Sequence, residues 1–447
     1  MADTRLIVFE TLLAIEKDSA AGKHLVKYVL DKYAYLTKTE RAFIKCLCEG
    51  VIERKITIDY ILAEFSSIPP KKMKPPIRTL CRMGVYQIMY MDSVPDHAAC
   101  GECVKIAKKK GLSGLSGFVN GVLRKVAINR DDIKYPDAKT EPIRYLSVKY
   151  SCPDNIVKLF LEENGYEICE HILTKSLQPR SLYIRVNTHL ISTDELAEHL
   201  RADNVTVSRF EGIDCAIKVD GVDSVANLWG YEQGYFTVQD PASMLVCLIA
   251  GIKPGDRVLD ICAAPGGKST HAADMAYPDV TVTACDLSER KVSLIKDNAG
   301  RLRLDNIETC VCDATIMNER FVNSADVVLA DVPCSGLGVI GRKNDIKYNV
   351  SDQILNELPD VQKRILDNAA KYVKIGGTLV FSTCTIHKAE NEDNCRYIRE
   401  VLGLTPVPFD DMLPEHMRTD SARDGYLTLF NGEYDTDGFF IAKFTRR

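Results

Sequence analysis

No apolar run in this sequence approaches the roughly 18 residues needed to span a bilayer. The first residues, MADTRLIVFETLLAIEKD, are broken by charges where a secretory leader would be apolar. They read instead as an amphipathic helix with Leu6, Phe9 and Leu13 on one face. One CxxC occurs at Cys100 to Cys103, but no second CxxC or histidine pair follows at zinc-site spacing. No metal is therefore expected, and packing is the favoured role for that pair. Internal repeats and low-complexity tracts are also missing. We read the chain as cytoplasmic, with its 16 cysteines reduced and mostly buried as small hydrophobes.

What is present fits a soluble globular chain. A length of 447 residues allows two or three domains, and 27% charged with 46% hydrophobic residues is an ordinary balance. The net charge of -5 conceals an asymmetry: residues 1–130 carry 22 Lys+Arg against 13 Asp+Glu, or +9, which leaves -14 for the rest. Clustered cations suit a polyanion, because neutralising phosphates releases counterions; a basic solvated face would have the same composition.

Residues 1–130 read as helical throughout, an all-α bundle that includes TKTERAFIKCLCEGVIERK and a glycine-rich loop entering GFVNGVLRKVA, whose Phe118, Val122 and Val126 share a face. The polar, proline-containing stretch NRDDIKYPDAKTEP reads as a linker. Residues 143–230 mix two helical runs with strands such as SLYIRVNT, and Ser192 with Glu195 predicts a capping box; this is a small α+β module. From residue 231 to 447 short apolar strands alternate with helices, which predicts a mostly parallel sheet wound on both faces and closed by an antiparallel pair, GYLTLF and GFFIAKF. That pattern fits a Rossmann-like methyltransferase better than a dehydrogenase.

The first strand of this region ends in DICAAPGGKST, where two glycines let backbone approach a ligand and a helix start presents free amides; the turn lacks the dinucleotide fingerprint. Asp286, Asp313 and Asp331 follow at or near three successive strand ends, a pattern that favours a nucleoside-bearing cofactor. LADVPCSGLG and GGTLVFSTCTI then place Cys334 and Cys384 after strands expected to be neighbours. A disulfide is one reading of such a pair; the other is a thiolate nucleophile, with Arg342, Lys343 and Lys347 supplying positive charge. A thiolate, a carboxylate and a methyl donor together suit carbon 5 of a pyrimidine. That carbon becomes nucleophilic once a thiolate adds to carbon 6.

DVPCSGLG, STCTI and CAAPGGKST resemble the motifs of the RNA cytosine-5 methyltransferases of the Sun family, and GFVNGVLRKV resembles the NusB-like RNA-binding domain. With LYIRVN and VQDPASMLV, the resemblance spans nearly the whole chain and points to the bacterial type that acts on small-subunit (16S) ribosomal RNA. It implies an N-terminal NusB-like bundle over 1–130, an RRM-like RNA-binding module over 143–230, and a class I methyltransferase domain with a seven-stranded sheet over 231–447. It further implies that S-adenosylmethionine is held by Cys262, Ala263, Ala264, Pro265, Gly266, Gly267, Lys268, Asp286, Asp313 and Asp331. In the same way it assigns Cys384 as nucleophile, Cys334 to product release and Asp331 to both cofactor and base. The residues alone would have favoured Cys334, since DNA cytosine-5 methyltransferases attack from a Pro-Cys cysteine. Gly341 and Asn344 stand where family members tend to carry Arg and Pro. Ribosomal RNA is the expected partner and a monomer the expected state; transfer RNA as substrate, or a nonenzymatic antitermination factor, are the alternatives.

Overall fold

The computed structural model describes residues 3–17, 22–222 and 224–447. Its contacts divide the chain into two units: Met1–Leu177 with Arg342–Ser351, and Gln178–Gly341 with Asp352–Arg447.

The first unit is helical: α1 (Thr4–Lys17), α2 (Gly22–Lys32), α3 (Lys38–Glu53), α4 (Lys55–Phe65), α5 (Pro75–Tyr90), α6 (Asp96–Lys109), α7 (Ser116–Ile128), α8 (Pro142–Tyr150) and α9 (Asp154–Ser176). Local chemistry sets several of these starts. Thr37 and Glu40 form a reciprocal capping box at α3, and prolines open α5 where their missing amides cost nothing. The apolar stripes of α1, α3, α5, α6 and α7 meet in one core that contains Phe9, Leu47, Leu80 and Leu123. Cys100 and Cys103 lie on α6 inside that core. Helix α9 is broken at Gly165, whose φ of 77° no helix accommodates.

The expected boundary near 130–143 falls inside this unit, because α8 packs against α4 and α9 against α8. Thr57 of α4 donates to the Val148 carbonyl at 2.6 Å, and Ser151 accepts the Ile56 amide at 3.0 Å. Residues 342–351, which contain the single turn α14 (Ile346–Asn349), belong here too. Lys347 and Tyr348 both donate to the Glu53 carbonyl, at 3.0 and 3.1 Å. Lys347 is buried, and burial pulls its ammonium down to about 8. It is therefore engaged within the bundle, whereas the sequence pattern predicts that, with Arg342 and Lys343, it supplies positive charge near the two cysteines.

The second unit holds two sheets. The smaller one contains β1 (Leu182–Val186), β2 (Thr206–Arg209), β3 (Ala216–Asp220) and β4 (Phe236–Val238), in the antiparallel order β2-β3-β1-β4, with α10 (Thr193–Ala202) packed against it. Of the expected capping box on α10, the structure shows the Ser192 half: its hydroxyl accepts the Glu195 amide at 3.2 Å.

The larger sheet follows α11 (Pro241–Ala250). It contains β5 (Arg257–Asp260), β6 (Thr281–Asp286), β7 (Ile307–Val311), β8 (Ala325–Asp331), β9 (Val373–Thr383), the two-residue β10 (Thr405–Pro406), β11 (Tyr426–Leu429) and β12 (Phe439–Thr445). The order is β10-β12-β9-β8-β5-β6-β7, with β11 on β12. Strands β5 to β9 pair in parallel, while β12 runs antiparallel to β9 and β11 antiparallel to β12. The expected seven-stranded, mostly parallel Rossmann-like sheet is thus present, extended by β10. Helices α12 (Gly267–Met275), α13 (Glu289–Arg301), α15 (Asp352–Tyr372) and α16 (Glu392–Glu400) complete the layers. Val258 and Leu329 face one core, Leu259 and Val328 the other, as burial on both faces of a parallel sheet requires.

Candidate active site

The carboxyl ends of β7, β6, β5, β8 and β9 lie side by side, and each carries polar residues of the site. At the end of β5 the chain enters the turn from Cys262 to Gly266 and then α12. Gly266 has φ 100°, and a Cβ there would lie 3.3 Å from the Cα of Ile295, so conformation and space both require glycine. No side chain caps α12, which leaves its first amides available to an anion. The buried carboxylate of Asp286 holds the turn by accepting the Ala264 amide at 2.9 Å, and it also meets Lys291 at 2.9 Å. Asp313, two residues beyond β7, accepts the Thr315 amide and hydroxyl, which hold its carboxyl below its ordinary value.

Asp331 ends β8. It accepts Lys268 Nζ at 2.6 Å on one oxygen and the Ser382 hydroxyl at 2.8 Å on the other. Burial opposes the Lys268 charge, but attraction to Asp331 and the hydrogen bond between them outweigh it, so the ammonium is held above its ordinary value. Cys384 lies within the field of the same cation. Lys268 also sits 5.1 Å over the Phe439 ring.

Because β8 and β9 pair in parallel, Asp331 opposite Ser382, the two chains leave the sheet together and bring Cys334 Sγ to 3.3 Å from Cys384 Sγ. The hydrogen bond between the sulfurs, burial and the nearby Glu390 and Asp331 carboxylates all push the Cys334 thiol well up. The Cys334 loop is sewn in place by backbone bonds: Gly338 donates to the Cys384 carbonyl at 3.0 Å and accepts from Gly438 at 2.8 Å. Residues Gly336 to Gly341 also spell GxGxxG, but a Cβ on Gly338 would lie 2.0 Å from the Gly438 carbonyl oxygen. Protein backbone occupies the space that a dinucleotide phosphate would need there.

Sequence reasoning missed three groups. Asp260, at the end of β5, is buried, pushed up to about 6 by burial, and bonded to the Ser269 hydroxyl at 2.6 Å. Its signal was the aspartate closing RVLD. Arg185, in the LYIRVN strand, is fully buried and donates to Gln239 at 2.7 Å, the Gly267 carbonyl at 2.8 Å and Thr270 at 3.1 Å. Glu390 is also fully buried, beneath the Cys334 turn, and nothing in its exposed-looking context KAENED marked it.

Residues 2–128 match the NusB family, and residues 248–445 match the family described as 16S rRNA methyltransferase RsmB/F. The chain is 37% identical over 446 residues to the probable ribosomal RNA small subunit methyltransferase B of Bacillus subtilis (strain 168), covering 99% of this chain and 98% of that protein. It belongs to the RsmB/F family of 16S rRNA methyltransferases. The probable ribosomal RNA small subunit methyltransferase B of Synechocystis is 32% identical, with 99% of each chain covered. Among solved structures, PH0851 superposes with a TM-score of 0.83 at 23% identity, covering 100% of this chain and 99% of that one. NSun6 from Pyrococcus horikoshii with SFG gives 0.58 at 21% identity, over 66% and 98%. Both likenesses speak for the fold.

As an RsmB/F member with this sheet, the chain is an RNA methyltransferase of the S-adenosylmethionine-dependent kind, joined to a NusB domain. Among the described residues no helix is long and apolar enough to cross a membrane, and no cluster of His, Cys, Asp or Glu is placed to hold a metal ion.

Proposed function

We propose that the protein methylates carbon 5 of a cytidine in small-subunit ribosomal RNA, through a covalent bond between Cys384 and carbon 6. The observation that carries this reading is the pair of sulfurs 3.3 Å apart beside the Lys268–Asp331 ion pair.

The crevice suits S-adenosylmethionine. The uncapped amides of α12 offer donors to its carboxylate, and Asp286 stands at the strand end where ribose hydroxyls are held in this fold. Cys262 to Lys268, Asp313 and Asp331 complete the assigned contacts. When bound, this cofactor supplies an electrophilic methyl group.

The chain's own residues prepare the base. Lys268 favours the anionic form of Cys384, whose sulfur forms a bond to carbon 6 and pushes the ring electrons toward N3 and carbon 5. Asp331 bonds the N3 edge and passes it a proton taken from solvent, while Lys268 stays charged. After methylation the carbon 5 proton leaves to water, its electron pair restores the ring double bond, and the carbon 6–sulfur bond breaks. As that bond breaks, the Cys334 thiol hydrogen-bonds to the departing Cys384 sulfur, which leaves as the thiolate, and N3 returns its proton through Asp331, so the pair regains its resting contact. The basic residues 1–130 bind the RNA backbone, and a monomer in the cytoplasm suffices for the reaction.

The test is methyl transfer from labelled S-adenosylmethionine to unmodified small-subunit RNA by wild type, Cys384→Ala and Cys334→Ala. Label in 5-methylcytosine, abolished in Cys384→Ala and accompanied by a denaturation-resistant RNA adduct in Cys334→Ala, is the expected result. Label at another position, or full turnover by Cys384→Ala, would overturn the reading; transfer to transfer RNA alone would move the substrate.

A further inference from the structure

Glu390 lies six residues after Cys384 and has no solvent exposure, yet no cation among the described residues pairs with it. One oxygen, Oε2, accepts the Ser335 amide at 2.9 Å and the Gln362 side-chain amide at 2.8 Å. That same Gln362 nitrogen donates to the Pro333 carbonyl at 2.9 Å, while the Gln362 oxygen accepts from Asn394 at 2.8 Å. The residues on either side of Cys334 are therefore tied to one carboxylate. A second tie, between the Ser335 and Thr385 hydroxyls at 2.7 Å, joins the residues that follow the two cysteines.

The other carboxylate oxygen, Oε1, is buried without a partner. Burying a charge with one oxygen unbonded is costly, and scaffolding alone does not explain it. A glutamine carbonyl could accept the same two donors without the charge. The charge therefore has a consequence beyond holding the turn, and the groups around the sulfur pair indicate which. Cys384 lies in the field of the Lys268 ammonium, whereas the Glu390 carboxylate stands next to the turn that carries Cys334.

We propose that Glu390 is the positioning residue that sets the order of the two cysteines: its buried, charged clamp on the Cys334 turn reserves that sulfur for release and leaves Cys384 to attack. The inference rests on the covalent reading above. Consistent with it, the Glu390 carboxylate is one of the groups that keep the Cys334 proton in place. A thiol, and not a thiolate, is what the departing Cys384 sulfur needs as a donor.

The experiment places Glu390→Gln in the full-length protein, alone and combined with Cys334→Ala, using unmodified small-subunit RNA. Cofactor binding by direct titration and thermal melting report whether each variant is folded. Alone, Glu390→Gln is expected to lower kcat on the order of 10- to 100-fold, with KM for RNA and cofactor binding unchanged, and to accumulate RNA adduct on denaturing gels. Combined with Cys334→Ala it is expected to add nothing, because it acts through that cysteine. An equal further loss in the Cys334→Ala background, or wild-type turnover by Glu390→Gln, would overturn the proposal. Adduct in Cys334→Ala but none in Glu390→Gln would overturn it too; no adduct even in Cys334→Ala would instead bring down the covalent reading.

Discussion

Lys268 donates to Asp331 across 2.6 Å, and the bond joins the first turn of α12 to the carboxyl end of β8. Two residues 63 positions apart in the sequence thereby share one charge pair. Lys268→Met keeps much of the side-chain volume but removes the charge near Cys384 and the donor to Asp331. We expect turnover to fall on the order of 10²- to 10³-fold, the range for loss of one electrostatic stabiliser. Single-turnover methyl transfer with cofactor affinity measured in parallel checks this; a loss confined to affinity would show that the pair serves binding only.

Gly338→Ala is expected to fail where Gly114→Ala is tolerated. At Gly338 a Cβ would fall 2.0 Å from the Gly438 carbonyl oxygen and 2.8 Å from that of Cys384, both backbone, whereas nothing lies within 4 Å at Gly114. Overpacking of this kind costs about 1–3 kcal/mol or more. Because the clash lies on the loop that carries Cys334, activity should drop further than stability. Thermal melting and methyl transfer on both variants separate the two effects.

Arg185→Lys keeps a charge but loses the planar fork that serves Gln239, Gly267 and Thr270. Hydrogen bonds to charged groups contribute about 1.5–3 kcal/mol each, so a stability loss of that order is expected from denaturant unfolding. The Gly267 carbonyl belongs to the cofactor turn, and cofactor affinity should therefore weaken as well, by about tenfold for each 1.4 kcal/mol transmitted.

Lys347→Met predicts a pH-dependent gain. Burial lowers the folded-state value to about 8 from 10.5, so below pH 8 both states are charged and the folded state carries the full penalty. As pH rises from 8 to 10.5 the unfolded state holds more protons, so the wild type gains stability and the penalty disappears. The substitution should therefore stabilise at pH 7, and its advantage should shrink by about 1 kcal/mol by pH 9. A constant difference between the two proteins in denaturant unfolding at both pH values would refute this.

Much of the site could be read before the fold was known, for a physical reason. The strand-to-turn transitions after Asp260, Asp331 and Thr383 are marked by glycine, proline and cysteine in short apolar contexts, and parallel pairing of consecutive crossover strands brings such ends together. The meeting of Cys334 and Cys384 follows from that rule. What stayed hidden depends on tertiary burial. Glu390 sits in a polar run that looks solvated, and Arg185 on a strand that alternates as a half-buried strand would; neither pattern tells a buried charge from an exposed one. Lys347 misled for the same reason, since a basic loop after a catalytic motif looks like a charge supply until its nitrogen is found against Glu53. The packing beyond residue 130 was hidden as well: NRDDIKYPDAKTEP has linker composition, yet α8 after it binds α4 through Thr57 and Ser151.

The segment from Arg342 to Ser351 also bears on how such a protein can be taken apart. The chain enters the helical unit at its start, leaves it after Leu177, returns for this short stretch and leaves again. Cutting the gene once cannot yield either unit whole: a fragment without the first helices strands Lys347 and Tyr348 without the Glu53 carbonyl, and a fragment ending at 177 has an open seat where they belong. An exchange of the N-terminal part would therefore have to bring residues 342–351 along with it, although they are encoded far downstream.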